Sequence, residues 1–338
     1  MMKLPKFDYA KPNSISECCK LLEEHGAMAL PIAGGTDLMM AMKNWLKTPK
    51  ILVDLCGIPN LNQITDLEND GLRIGAMVTL RHLAQNPVVR EKYPVLANAA
   101  LAVGSTQVQA MGTIGGNLCQ DNCCLYYNRS PMFRQAMGPC YKLDGDRCHA
   151  VKGSKHCWAT YSGDLAPVLL ALKASVRISD PQGETSIPAE QLYSGDGKQP
   201  HTLQFGRVIT EIQVPAPPVN CGNAYLKMRV RKTIDYPLLG VAANVVMEND
   251  DMAIHDIVLA LTAVEKAPLM IKAADELKGQ ILTDELLDGL AEAAYKQARP
   301  ISNTYGYTPN YRKNMVRTYV KSAVRQSLER ATGQGGVT

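Results

Sequence analysis

The chain has 338 residues, 46% of them hydrophobic and 20% charged, with a net charge of +4. This composition excludes intrinsic disorder and supports two or three buried cores. The charge is small for the length, and no Lys/Arg block or basic-aromatic interleaving occurs, so neither a nucleic-acid nor a membrane partner is expected.

Met1 to Phe7 lack the apolar core of a signal peptide, and no apolar run reaches the roughly 18 residues of a bilayer span, which predicts a cytoplasmic protein. In that reducing setting ten cysteines do not read as a disulfide framework; where they cluster they point to metal or redox chemistry. Ser14-Ile15-Ser16-Glu17 is a capping box, and Ile15, Cys18, Cys19 and Leu22 follow at helical spacing, so a first helix is expected to about His25 with both cysteines in its packing face. Ala29 to Ala33 reads as a strand, Gly34-Gly35 as a turn, Thr36 to Met42 as a helix start and Ile51 to Leu55 as a buried strand. A second region opens with a strand at Gly71 to Ala76, a short helix at Leu80 to Leu83 and an Ala-rich helix from Tyr93 to Val103. After a cysteine-bearing loop come a helix over Leu165 to Leu172, a strand over Ser175 to Ile178, an exposed loop over Gly195 to Pro200 and a strand over Val208 to Val214. Pro215-Ala216-Pro217-Pro218 is the best candidate linker. Beyond it Ala224 to Arg231, Val241 to Met247 and Ile254 to Val264 alternate as an antiparallel sheet, and helical patterns follow around Ala267 to Leu277, Glu285 to Ala298 and Asn310 to Arg330. The expected division is 1–57, 58–218 and 219–332, with a flexible tail at 333–338 and no internal repeat.

Two turns carry the first chemical signal: Ala33-Gly34-Gly35-Thr36-Asp37 and Thr113-Ile114-Gly115-Gly116-Asn117. Consecutive amides without side chains to shield them let the main chain approach phosphate oxygens, and a helix start adds positive dipole. Singly each is an ordinary turn; as a pair they suit a pyrophosphate. Neither is Gly-x-Gly-x-x-Gly, which argues against a Rossmann nicotinamide site. The second signal is a 34-residue stretch holding Cys124, Cys140, Cys148 and Cys157, since thiolates suit both iron-sulfur clusters and zinc.

The two turns, together with Ser162-Gly163-Asp164-Leu165-Ala166-Pro167, resemble the FAD-binding medium subunit of xanthine dehydrogenase-type molybdenum hydroxylases, over nearly the whole chain. The resemblance implies an α+β architecture: a two-subdomain FAD-binding fold of the PCMH/vanillyl-alcohol-oxidase type with an iron-sulfur loop inserted at about 119–160, then a C-terminal α+β domain with a three-stranded antiparallel sheet and helices. It implies that Ala33, Gly34, Gly35, Thr36, Asp37 and Leu38, with Thr113, Gly115, Gly116 and Asn117, hold the FAD diphosphate between the subdomains. Asp164 would bond the ribityl region, Val208 and Ile209 would pack on the flavin, and Lys227, in the run Tyr225 to Arg231 followed by Asp235, would approach the isoalloxazine ring. The residues alone leave other roles open: a helix cap for Asp164, an edge-strand cation for Lys227, plain core for Val208. Gln109-Ala110 stand where the family often has Arg-Asn, so that arginine's contacts do not carry over.

Cys124-Leu125-Tyr126-Tyr127-Asn128, Gly138-Pro139-Cys140, Asp146-Arg147-Cys148-His149 and Lys155-His156-Cys157-Trp158 are similar to segments of the 4-hydroxybenzoyl-CoA reductase β subunits. That likeness implies a 4Fe-4S cluster on Cys124, Cys140, Cys148 and Cys157, with Cys119 and Cys123 as neighbours able to compete for the first position. Intervening stretches of 15, 7 and 8 residues are too open for zinc-ribbon knuckles, though zinc stays an alternative. His149 and His156 are left outside the ligand set. The implied partners are a large molybdopterin subunit and a small subunit with 2Fe-2S clusters, as a dimer of heterotrimers, with ferredoxin feeding electrons toward a reductive dehydroxylation. No catalytic residue is expected here. The rival readings are an oxidising hydroxylase of a purine, aldehyde or N-heterocycle, and a zinc-stapled docking subunit. A stand-alone FAD reductase of the cell-wall type would leave the cysteine loop unexplained.

Overall fold

A computed structural model describes residues 3–248, 253–303 and 306–333. Its first sheet is parallel: β1 (Asp8–Ala10), β2 (Ala29–Ile32) and β3 (Ile51–Asp54) lie in the order β1-β3-β2. Helix α1 (Ile15–His25) starts where the capping box places it, with Ser14 Oγ accepting from the Glu17 amide at 3.2 Å and Glu17 Oε2 accepting from the Asn13 amide at 2.8 Å. Its Cys18, Cys19 and Leu22 face the core. Burial pushes the Cys18 and Cys19 thiols up to about 12 and about 11, as befits packing residues. Helix α2 (Leu38–Lys43) follows the first Gly-Gly turn.

The second sheet is antiparallel, with β4 (Ile64–Asp66), β5 (Leu72–Gly75), β6 (Ser175–Asp180), β7 (Gly183–Pro188) and β8 (Val208–Val214) in the order β4-β5-β8-β6-β7. Between β5 and β6 the chain makes α3 (Leu80–Gln85), α4 (Pro87–Lys92), α5 (Pro94–Ala102), α6 (Thr106–Met111), α7 (Ile114–Leu118), α8 (Pro131–Met137) and α9 (Leu165–Ala171). Ile74, Val176 and Ile212 of the strands bury against Leu83, Leu96 and Leu169 of the helices.

The third sheet holds β9 (Cys221–Met228), β10 (Leu239–Met247), β11 (Ile254–Thr262) and β12 (Leu269–Met270), antiparallel in the order β12-β11-β10-β9, with α10 (Asp284–Gln297) and α11 (Pro309–Ala331) against it. It has one more strand than expected, and no α-helix forms over Ala267 to Leu277. Pro268 precedes Leu269 and Met270, which pair with Leu261 and Ala260 of the β11 edge, and only a 3-10 turn follows at Lys272–Leu277. The apolar spacing there is satisfied by an edge strand, a tertiary contact overriding local preference. All of β10 is buried because both faces are covered: Ala242 joins the core under α9, while Val241, Ala243 and Val245 join the one under α10 and α11.

The segment between α7 and α9 leaves the core and returns through one neck. Cys123 and Thr160 form an isolated antiparallel bridge with hydrogen bonds of 3.1 and 2.9 Å. Asn122 Nδ2 donates to the Ala159 carbonyl at 3.0 Å and the Lys266 carbonyl at 2.6 Å, tying the neck to the third sheet's loops. Arg134 of α8 donates to the Asn44 carbonyl at 2.7 Å, fastening the loop to the end of α2. Residues 334–338 of the expected tail lie outside the described residues. Among the described residues no helix is long and apolar enough to cross a membrane.

Candidate functional site

A cleft of about 300 Å³ opens where the first two sheets meet, and both Gly-Gly turns line it. Each turn packs tightly because it carries no side chains: a Cβ on Gly34 would stand 1.7 Å from the Met111 carbonyl oxygen, and one on Gly115 2.8 Å from the Ala76 Cβ. Gly35 has a φ of +68°, a left-handed conformation that favours glycine. The two turns differ in what their amides do. Among the described residues those of Gly34, Gly35 and Thr36 have no acceptor within the chain. In the second turn Gly115 donates to the Ala76 carbonyl, Gly116 to Thr113 Oγ1 and Asn117 to the Thr113 carbonyl, at 2.9, 3.1 and 2.9 Å. The first turn is therefore the open donor set, and the second is a braced wall. Unspent amides at a helix start suit an anionic diphosphate, so the residues fit the implied cofactor.

Ala33, Asp37, Leu38, Thr113, Asn117, Asp164 and Val208 line the same cleft, but Lys227 does not. Asp37 faces the space between the turn and the loop, where burial, then the nearby Asp121 carboxylate, push its carboxyl up. Asp164 is buried and does not cap α9; Asn117 Oδ1 takes that place, accepting from the Leu165 amide at 3.2 Å. Asp164 accepts instead from Tyr225 Oη at 2.6 Å and from Lys227 Nζ at 2.9 Å. Lys227 also donates to the Ala102 carbonyl at 2.8 Å, so its ammonium sits one layer behind the cleft. Burial drives the Asp164 carboxyl up and the Lys227 ammonium down, and their ion pair opposes both. Sequence reasoning missed Gly104, Arg207 and Ile234, which also line the cleft. The Ile234 amide donates to the Gly104 carbonyl at 2.7 Å, joining loops over a hundred residues apart, and no local motif signals such a contact.

Cys124, Cys140, Cys148 and Cys157 line one small cavity together with Tyr126, Lys142 and His149. Cys119 faces the double-glycine cleft and Cys123 a neighbouring cavity, so neither shares it. The Tyr127 amide donates to Cys124 Sγ at 3.2 Å and the Ala159 amide to Cys157 Sγ at 3.4 Å. Burial raises the Cys124 thiol, with the Tyr127 and Tyr126 amides opposing it, and raises Cys157 to about 11 against the Ala159 amide and Lys142. Among the described residues no three His, Cys, Asp or Glu side chains converge as a single-ion site. The cavity encloses about 10 Å³, so a multi-atom cluster fits its thiolate donors only if the loop opens slightly around it. The neck beside α7 keeps these thiols next to the cleft: Gln120 lines the cleft, and Cys124 lines both the thiol cavity and the one between.

A parallel and an antiparallel sheet clasping a double-glycine cleft, with a third α+β unit, define an FAD-binding subunit of the molybdenum hydroxylase class. Residues 5–217 match the FAD binding domain in molybdopterin dehydrogenase, and residues 223–327 match the CO dehydrogenase flavoprotein C-terminal domain. The chain belongs to this molybdopterin dehydrogenase flavoprotein family. It is 35% identical to the aldehyde oxidoreductase FAD-binding subunit PaoB of Escherichia coli (strain K12), over 80% of this chain and 85% of that one. The carbon monoxide dehydrogenase medium chain of Afipia carboxidovorans is 29% identical, over 96% of this chain and 98% of its own. The cyanide-inactivated form of Cu,Mo-CO dehydrogenase superposes with a TM-score of 0.80 at 28% identity, covering 97% of this chain and all of that one.

Proposed function

We propose that this chain is the FAD and 4Fe-4S electron-transfer subunit of a heteromeric molybdenum enzyme. The observation that carries the proposal is the sharing of one cavity by Cys124, Cys140, Cys148 and Cys157, in a loop pinned beside the cleft. When bound, the flavin exchanges electrons singly or in pairs, and the cluster carries one at a time.

The chain's own residues bind, orient and tune. Gly34, Gly35 and Thr36 offer amides to the diphosphate, flanked by Ala33, Asp37 and Leu38. Thr113, Gly115, Gly116 and Asn117 form the opposite wall. Asp164, held by Tyr225 and Lys227, would present its carboxylate to the ribityl hydroxyls. Val208, on the cleft wall, would close the apolar side against the ring, and Lys227 would act on the flavin through Asp164. We read 1–57 and 58–218 as the two halves of the cleft and 219–332 as the unit behind it. Substrate chemistry then belongs to a large molybdopterin subunit, joined by a small 2Fe-2S subunit in a dimer of heterotrimers.

Two directions of electron flow have support. The likeness of the cysteine segments to 4-hydroxybenzoyl-CoA reductase favours inward flow from ferredoxin and reductive dehydroxylation of an aromatic acyl-CoA. The named aldehyde and carbon monoxide enzymes favour outward flow from an oxidised substrate. A cluster potential as low as a ferredoxin's supports the first, and one well above it the second. The subunit assignment itself is tested by anaerobic purification with iron, sulfide and flavin analysis. Cys140→Ser is expected to lose the cluster iron while keeping FAD; full iron content in that variant would refute the ligand set.

A further inference from the structure

Lys142 is the only lysine or arginine among the described residues lining the thiol cavity, and its side chain is 3% exposed. Its ammonium donates to Asp121 Oδ1 at 2.7 Å and to the Gly197 carbonyl at 3.0 Å, and lies 5.0 Å from the centre of the Tyr127 ring. The turn that carries it is braced by the backbone, since the Leu143 and Gly145 amides both donate to the Cys140 carbonyl, at 2.8 and 2.9 Å. Asp121 does not line that cavity. It faces the neighbouring one, and Lys47 stands 3.6 Å from its other oxygen. Lys142 lines the thiol cavity and Asp121 the neighbouring one, so the ion pair spans the wall between the two, its negative end shared with a second cation.

We propose that Lys142 sets the redox potential of the cluster carried by the four cysteines, its buried ammonium stabilising the reduced form and Asp121 moderating that effect. This rests on the cluster assignment above. Reduction adds one electron to the cluster, supplied by ferredoxin in inward flow or by the flavin in outward flow; Lys142 exchanges neither electron nor proton, and no bond forms or breaks at it. A fixed charge beside a redox centre acts strongly where water cannot screen it. Lys142 is a positioning residue in this sense, and mere structural support would move iron content without moving potential.

The test uses the whole complex, purified anaerobically, as wild type, Lys142→Met, Lys142→Arg and Asp121→Asn. Potentiometric titration follows the cluster by electron paramagnetic resonance and the flavin by visible absorbance, with iron and sulfide measured on each sample. In Lys142→Met the ratio of reduced to oxidised cluster at a set potential is expected to fall about tenfold, which for one electron is 59 mV downward. Lys142→Arg should stay near wild type, Asp121→Asn should move upward, and the flavin potential should shift less than the cluster's. Wild-type iron with an unmoved cluster potential in Lys142→Met overturns the proposal. Should Lys142→Met lose its iron, Asp121→Asn decides, and an unchanged potential there overturns it equally. Wild-type protein without iron and sulfide would instead sink the cluster assignment, and this inference with it.

Discussion

A Cβ on Gly34 would lie 1.7 Å from the Met111 carbonyl oxygen, and backbone cannot swing aside as a side chain can. Gly34→Ala is therefore expected to cost about 1–3 kcal/mol by overpacking and to lower the flavin bound per chain. Gly116→Ala, whose nearest contact is the Thr113 hydroxyl at 3.0 Å, should cost less. Urea unfolding and the ratio of visible to ultraviolet absorbance read both effects, and equal flavin content in the two variants would contradict the ranking. Gly-Gly is a local signal, so both turns are legible in the sequence. The surroundings of Asp164 are not: beside the cofactor role the resemblance implies, an Asp before an apolar helix can also read as a cap, yet Asn117, 48 positions away from the amide it caps at Leu165, performs that task. Only when Tyr225 and Lys227 arrive from another sheet does the carboxylate become a buried, oriented acceptor.

At the scale of elements, α1 and β8 begin and end within a residue of their sequence signals, because a capping box and a β-branched run closed by prolines are local instructions. The Ala267 to Leu277 segment failed that test, since the free edge of β11 competes for Leu269 and Met270 and no sequence window contains that edge. Strand β11 also carries Asp256, which takes hydrogen bonds from Lys173, just beyond α9, and from Lys278 at 3.0 Å. Burial alone would raise this carboxyl, but the two lysines outweigh it and hold it below the ordinary carboxylate range. A depressed folded-state value stabilises the fold above the unfolded value, near ~3.9, and that contribution fades as pH falls through the folded value. Asp256→Asn is accordingly expected to be less stable than wild type at neutral pH, with the gap closing below about pH 4. Urea unfolding at stepped pH measures the gap; one that widens in acid would count against the ion pairs.

Across the whole molecule, one buried cation gathers three distant segments. Arg312 of α11, 4% exposed, donates to the carbonyls of Leu238, Ile301 and Ala263 at 2.9, 2.7 and 2.5 Å, and burial lowers its guanidinium to about 10. Arg312→Met leaves those carbonyls without their donor and is expected to cost at least about 3 kcal/mol, read as a lower urea midpoint with an unchanged slope. A midpoint equal to wild type would show that water replaces the guanidinium. Its helical position was plain from periodicity, but its partners, 74, 11 and 49 residues away, were not. The same division runs through the chain. By itself the sequence determined the double-glycine turns, the capped helices, the alternating strands and the supply of four thiols in one loop, because each is written in neighbouring residues whose steric and hydrogen-bonding preferences act locally. Tertiary structure alone decided that the first turn keeps its amides open while the second spends them, that Lys227 stands behind Asp164, and that the four thiols share a cavity with Lys142. Those outcomes depend on which distant surfaces meet, and burial sets charges and donors only after they have met.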